Sequence, residues 1–158
     1  MRLADGLLFL QLASTLACGQ QPSWIVGKTQ DCFARKVIHP AQVDIYLLDP
    51  QKSPEAVRIL NDMEKQVPKG DENPQAFFAS YQRLTSAVQK TRSVARTRSD
   101  EAGNFSFDAL RDQKKLVVLG LAEREDEPAY YASMPVNLRA GKNSVTLDFD
   151  RGNTCKSQ

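Results

Sequence analysis

Three stretches of this chain, QVDIYLLD, NFSFDAL and NSVTLDFD, are apolar at alternate residues. In an extended strand that spacing puts Val43, Ile45 and Leu47 on one face, then Phe105 and Phe107, then Val145, Leu147 and Phe149. A period of two excludes helix at these places and predicts half-buried antiparallel strands. KKLVVLGLAE differs, being apolar at nearly every position from Leu116 to Ala122, and predicts a central strand covered on both sides. With SWIVGKT, SVARTRS and YYASMPVNL the count reaches about seven strands. The expected fold is mostly β, an antiparallel seven-stranded β-sandwich.

One region breaks the alternation. In SPEAVRILNDMEKQV the apolar set Ala56, Leu60, Met63 and Val67 has helical spacing, and in NPQAFFASYQRLTSAVQK the set Phe77, Tyr81, Leu84 and Val88 repeats it. Each begins with a capping residue and a proline, Ser53-Pro54 and Asn73-Pro74, and Pro68 and Gly70 end the first helix. A helical hairpin over 51–90 is thus inserted between two strands. Its apolar stripes need cover, either from the sandwich or from another protein.

At 158 residues the chain suffices for one domain with a real core, and its net charge of +2 gives no footing for a nucleic-acid partner. MRLADGLLFLQLASTLACGQQ carries Arg2, an apolar run from Leu7 to Leu12 and small residues up to Cys18-Gly19, the order of an export signal. The run is too short to span a bilayer. Residues 1–19 are therefore expected to be a signal peptide and 20–158 a single domain; a buried N-terminal helix is the competing reading, favoured by Asp5. Two readings of Cys18 stand side by side. It is a lipidation site that would tether the chain to a membrane, although Thr15 sits where lipoprotein signals favour Leu, or it is lost by cleavage after Gly19.

Either way Cys32 and Cys155 remain, and in an oxidising compartment they are expected to pair. The bond would close a loop of roughly 120 residues and contribute about 4 to 5 kcal/mol in the chain-entropy account. Two free thiols are the alternative. Two cysteines and a lone histidine with no close-spaced pair make no metal framework, and no motif implies a cofactor.

The flanking strands resemble a family. WIVGKTQDCFARKVIHPAQVDIYLLD is similar to the opening of carboxypeptidase regulatory-like domains, where a strand ending in Gly leads through a loop to V-x-[IL]-x-L. RTRSDEAGNFSFDAL resembles their next signature, Thr or Ser, Asp, two residues, Gly, one residue, Phe, and VNLRAGKNSVTLDFD resembles their closing strands. The resemblance covers about residues 24–49 and 94–150 and leaves out the helices. It implies a transthyretin-like, immunoglobulin-like sandwich.

Within RTRSDEAGNFSFDAL, Asp100 can accept hydrogen bonds from the amides after it, Gly103 can take a positive φ, and Phe105 then enters the core, so a structural turn is expected. A calcium loop built on Asp100, Glu101 and Asn104 is the competing reading, without the regular acidic ladder of an EF-hand. Catalysis has little support: His39 is the single histidine, and neither G-x-S-x-G nor H-E-x-x-H occurs. The related fold hosts the transthyretin-like hydroxyisourate hydrolase, whose histidines and terminal Tyr-Arg-Gly-Ser find only Arg151-Gly152 as an echo here. That leaves a small hydrolase as the weakest alternative.

Candidate binding residues remain. Arg92, Arg96 and Arg98 share a strand face and would either meet an anionic glycan or lipid headgroup or pair with acidic neighbours. Trp24, Tyr130 and Tyr131 would either stack on a sugar or fill the core, and the two tyrosines must face opposite sides of their strand. Glu123 to Pro128 reads as a solvated loop. The sequence therefore points to a non-enzymatic, exported module, secreted or periplasmic, that binds a protein or glycan of the cell envelope. A carbohydrate-binding module using exposed aromatics is the alternative.

Overall fold

The computed structural model describes residues 22–66, 73–91, 93–110, 115–124, 127–150 and 155. Along them run β1 (Ser23–Phe33), β2 (Lys36–Ile38), β3 (Asp44–Leu48), α1 (Pro54–Gln66), α2 (Pro74–Lys90), β4 (Ala95–Arg98), β5 (Asn104–Leu110), β6 (Lys115–Arg124), β7 (Glu127–Asn137) and β8 (Gly141–Asp148). The residues of 1–19, including Cys18, lie outside the described residues.

The strands form two sheets, one with β1 between β5 and β8 and joined also to β2, the other in the order β4-β3-β6-β7. Alternation explains the first core: Ile25, Ile45, Leu47, Phe105, Phe107, Val118, Val145, Leu147 and Phe149 turn inward between the sheets. Gly27 sits opposite Phe105 in the β1–β5 register, and a Cβ there would lie 2.1 Å from the Phe105 ring, so the missing side chain is what lets the end of that ring approach β1.

A second core lies on the other side of the β3-β6-β7 sheet. Tyr46, Leu48, Leu119, Leu121 and Tyr131 face Ala56, Leu60 and Met63 of α1 and Tyr81, Leu84 and Val88 of α2. The apolar stripes predicted for both helices are thus spent within the chain, and the protein is three layers: sheet, sheet, helical hairpin. β6 is covered on both faces, as its unbroken apolar run predicts. β3 was expected to be half-buried; Tyr46 and Leu48 turn its second face into core as well.

Three expectations need correction. Eight strands are present among the described residues, because the three-residue β2 folds back on the end of β1 through a turn without glycine or asparagine. The sandwich is not wholly antiparallel: β8 pairs with β1 in parallel from Ser23↔Gly141 to Gln30↔Asp148. The chain returns from the other sheet at the end where β1 begins, with Gly141 N donating to Pro22 O at 3.3 Å, and a period of two carries no information on partner direction. Lastly, Asn73 caps α2 with its side chain, Oδ1 accepting from Gln75 N and Ala76 N at 3.0 and 3.4 Å, whereas the buried Ser53 hydroxyl has no hydrogen-bond partner among the described residues and the Ser53 carbonyl opens α1. Val67, Pro68 and Gly70 lie outside the described residues.

Cys32, near the end of β1, is bonded to Cys155, with Cα atoms 5.8 Å apart and a sequence separation of 123. The double substitution Cys32→Ser, Cys155→Ser is expected to lower the unfolding free energy by about 4 kcal/mol, as read from denaturant midpoints with and without reductant. A variant as stable as the oxidised parent would refute the staple.

The second core gives a sharper expectation. Removing residues 51–90 bares five apolar side chains of the sheet, each worth about 1.5 to 3 kcal/mol when buried, and their sum rivals the roughly 5 to 15 kcal/mol that holds a domain together. The shortened chain should therefore lose cooperative unfolding and aggregate on gel filtration. A monomeric, cooperatively folded product would instead make the hairpin a separate appendage.

Candidate functional site

The loop from Ser99 to Asn104 closes on itself. Asp100 Oδ1 accepts from the amides of Ala102 and Asn104 at 2.9 and 2.7 Å, and Asn104 Nδ2 donates to Oδ2 at 3.2 Å. Gly103 has φ +78°, and a Cβ there would lie 2.4 Å from Thr29 Oγ1 and 2.9 Å from the Cβ of His39. Phe105 follows into the core. Both oxygens of Asp100 are thus engaged by donors inside the loop, the arrangement of a turn rather than a calcium cage. The backbone hydrogen bond from Asn104, then its side chain, hold the Asp100 carboxyl below its ordinary pKa, and the nearby Lys28 adds to this.

Beneath the turn is a buried polar cluster that the sequence does not announce. Thr29 Oγ1 donates to Pro40 O at 2.6 Å, Ser99 Oγ donates to the same carbonyl at 3.2 Å, and Val43 N donates to Ser99 Oγ at 3.0 Å. His39 Nδ1 lies 2.8 Å from Thr29 O, an acceptor that requires the proton on Nδ1. The histidine is thereby engaged in positioning the loop.

The predicted binding residues divide. Arg96 and Arg98 both reach Asp44, at 3.1 and 3.0 Å, and Arg96 lies 5.1 Å over the Tyr46 ring. Partial burial raises the Asp44 pKa, and the hydrogen bonds from Arg98 and Arg96 outweigh it, so the carboxyl is held below its ordinary value. These arginines pair across strands with Asp44, and Arg92 lies outside the described residues. Tyr131 is 1% exposed and stacks on Phe77, so its ring is closed to a sugar. The half-buried Tyr130 points the other way and meets Phe149 edge-on at 5.1 Å. Glu123 and Arg124 belong to β6, and β7 begins at Glu127, so the acidic stretch is largely strand. Among the described residues Cys32, Asp150 and Cys155 form one cluster of metal-ligating type, and both thiols are spent in the disulfide.

Trp24 is different. It is 38% exposed and lies on the outward face of the β5-β1-β8 sheet, in line with Val26 and Lys28. Across that face Val26 is flanked by Ser144 and Ser106, Lys28 by Thr146 and Asn104, and Trp24 by Lys142. A groove of about 630 Å³ runs over Val26, Lys28, Asn104, Ser106, Ser144 and Thr146 and is bounded by Arg98 and Asp100, with Trp24 on the same face outside its lining. An indole, a row of hydroxyls, an amide and an ammonium on one rigid face can stack on and hydrogen-bond a polyhydroxylated ligand. Of this set sequence reading found Trp24; the signal for the rest was the polar half of the alternation that revealed the core.

No family model and no curated protein matches the chain. Among solved structures it is similar to a putative carbohydrate binding protein from Pseudomonas aeruginosa, at 13% identity and a TM-score of 0.47, over 84% of this chain and 92% of that one. It is also similar to a shaft pilin from Lactobacillus rhamnosus GG, at 7% identity and a TM-score of 0.43, over 80% of this chain and 48% of the pilin. The pilus backbone of Streptococcus pneumoniae is similar at 8% identity and a TM-score of 0.33, over 74% of this chain and 35% of that one. This chain thus spans less than half the length of either pilus protein.

Because the folded-state pKa of Asp100 lies below its unfolded value, the turn adds stability that is complete above the unfolded carboxylate range and is lost as pH falls through the folded value. Asp100→Ala should accordingly show its largest deficit at neutral pH, with the gap to the parent closing in acid. Denaturation midpoints measured across the acid range check this; a gap of constant size would mean that the carboxylate charge plays no part.

Proposed function

We propose that the protein is a non-enzymatic, exported β-sandwich module that binds a glycan of the cell envelope through the outward face of the β5-β1-β8 sheet. The observation that carries the reading is the exposed indole of Trp24 on the same outward sheet face as the polar groove over Val26 and Lys28. Sugar rings offer a C–H face to an aromatic and hydroxyls to Ser, Thr, Asn and Lys side chains. The opposite side of the sandwich is sealed by the helical hairpin, which leaves this face as the broad sheet surface open to a ligand.

The same proposal takes residues 1–19 as an export signal, the remainder as a single domain, and the disulfide as suited to an oxidising compartment outside the cytoplasm. Cys18 is either the tether of a lipid-anchored form or lost with the signal. No catalytic role is assigned to any residue, since His39 is committed to the Thr29 carbonyl.

Retardation in native gels containing dissolved envelope polysaccharides tests the reading. The parent should be slowed by at least one of them, and Trp24→Ala should weaken that binding by at least about tenfold, or roughly 1.4 kcal/mol, with an unchanged melting temperature. Equal retardation of parent and variant would remove the face from consideration, and no retardation by any polysaccharide would leave a protein ligand as the reading.

A further inference from the structure

β1 outruns its sheet. Its pairing with β5 ends at Lys28 and with β8 at Gln30, and from Asp31 onward its partner is β2 alone, through Asp31↔Ile38, Cys32↔Val37 and Phe33↔Lys36. β2 in turn pairs with nothing else among the described residues. Residues 31–38 therefore form a two-stranded hairpin of three register pairs, in which Cys32 of the middle pair is bonded to Cys155.

The composition of that hairpin is not what its geometry calls for. Ala34 and Arg35 both have positive φ, 51° and 61°, the signature of a two-residue turn that Asn-Gly adopts with least strain. Turn chemistry does not account for an alanine and an arginine there. Beside them stand the two most exposed large apolar side chains among the described residues, Phe33 at 64% and Val37 at 51%. Arg35 and Lys36 are exposed too, and neither meets a carboxylate in the described structure.

The register decides what such a tip fits. Phe33 shares a face with Lys36, whereas Val37 shares the other face with Cys32 and its disulfide, so one exposed apolar side chain stands on each side of the hairpin and cations stand at its end. A protein pocket would have to enclose both faces. The interfacial zone of a bilayer surrounds an inserted tip on every side, taking apolar groups at the acyl boundary and cations at the headgroups.

We propose that the β1–β2 hairpin is a membrane-contact tip that places Phe33 and Val37 in the interface of an anionic bilayer, with Arg35 and Lys36 on the lipid phosphates. The disulfide at the middle pair keeps the tip ordered before it inserts, so little chain entropy is lost on contact. Each cation is worth about fivefold in affinity at an anionic surface, so the two together give a preference of about 25-fold over a neutral one.

The test is sedimentation of the full chain with vesicles of phosphatidylglycerol and phosphatidylcholine in equal parts, against vesicles of phosphatidylcholine alone. The parent should bind the anionic vesicles more tightly, and added salt should weaken that binding. Because the run from Leu7 to Leu12 is also apolar apart from Gln11, the contribution of the tip is read as the difference between parent and variant in the same chain. Arg35→Gln with Lys36→Gln should reduce the preference for anionic lipid by about 25-fold, and Phe33→Ser with Val37→Ser should reduce binding to both vesicle types. All four side chains are exposed, so melting temperatures should stay at the parent value. Variants that bind like the parent would overturn the proposal, and so would a parent that ignores both vesicles, which would leave a protein pocket as the occupant of the tip.

Discussion

One carbonyl ties the two sheets together at one end of the sandwich. Pro40 O accepts from Thr29 of β1 and from Ser99 at the end of β4, and both residues are almost wholly buried. Leaving any one of these polar groups without its partner would cost about 1 to 3 kcal/mol, so the three hold one another in place. Through Thr29 N, which donates to Gly103 O at 2.9 Å, the same cluster sets the turn before β5. Through Ser99, whose amide donates to Val43 O and whose hydroxyl accepts from Val43 N, it sets the entry to β3. The alternation of β3 and β5 packs a core only if each strand enters in the right phase, and a slip of one residue would turn Phe105 and Phe107 outward.

The middle sheet then has to serve two cores at once. β6 does this by being apolar on both faces, with Leu116 and Val118 turned to the sandwich and Leu119 and Leu121 to the helices. β3 does the same with Ile45 and Leu47 on one side and Tyr46 and Leu48 on the other. β4, at the sheet edge, instead sends Arg96 and Arg98 to Asp44. These exposed ion pairs contribute at most about 1 kcal/mol each, which suits an edge strand whose task is to end a sheet rather than to extend it.

What could be read in the sequence was what periodicity encodes. The strands in which apolar residues alternate, both helices, the Asn73 cap and the Asp100 turn have local causes, and local causes leave local patterns. β2 left none, because Lys36–Ile38 is short and its turn lacks the residues that mark turns. The parallel alliance of β1 with β8 left none either, since alternation says which face a residue takes and not which strand lies beside it. Thr29 and Ser99 look like surface hydroxyls until the loop carrying Pro40 is folded over them. Tyr130 and Tyr131 were correctly opposed, yet sequence could not tell that each side of β7 already had a core waiting. Trp24 reads the same either way, and only the bare face around Val26 and Lys28 distinguishes it from the buried aromatics.

The asymmetry of the three layers follows from the place of the helical insertion. A hairpin leaving β3 and returning to its neighbour β4 can cover only the sheet those strands belong to, so the β5-β1-β8 sheet keeps its polar outer face in water. That face never needed apolar residues, which frees Ser106, Ser144, Thr146, Asn104 and Lys28 from packing duty and makes an exposed indole among them an exception to be explained. β1 is the centre of this sheet, the donor of Thr29 to the Pro40 carbonyl and, at its far end, the stem of the hairpin bearing Phe33. A ligand or surface that engages either end of β1 therefore pulls on the strand most firmly locked to the rest of the molecule, by eight parallel register pairs, by the buried threonine and by the bond to Cys155.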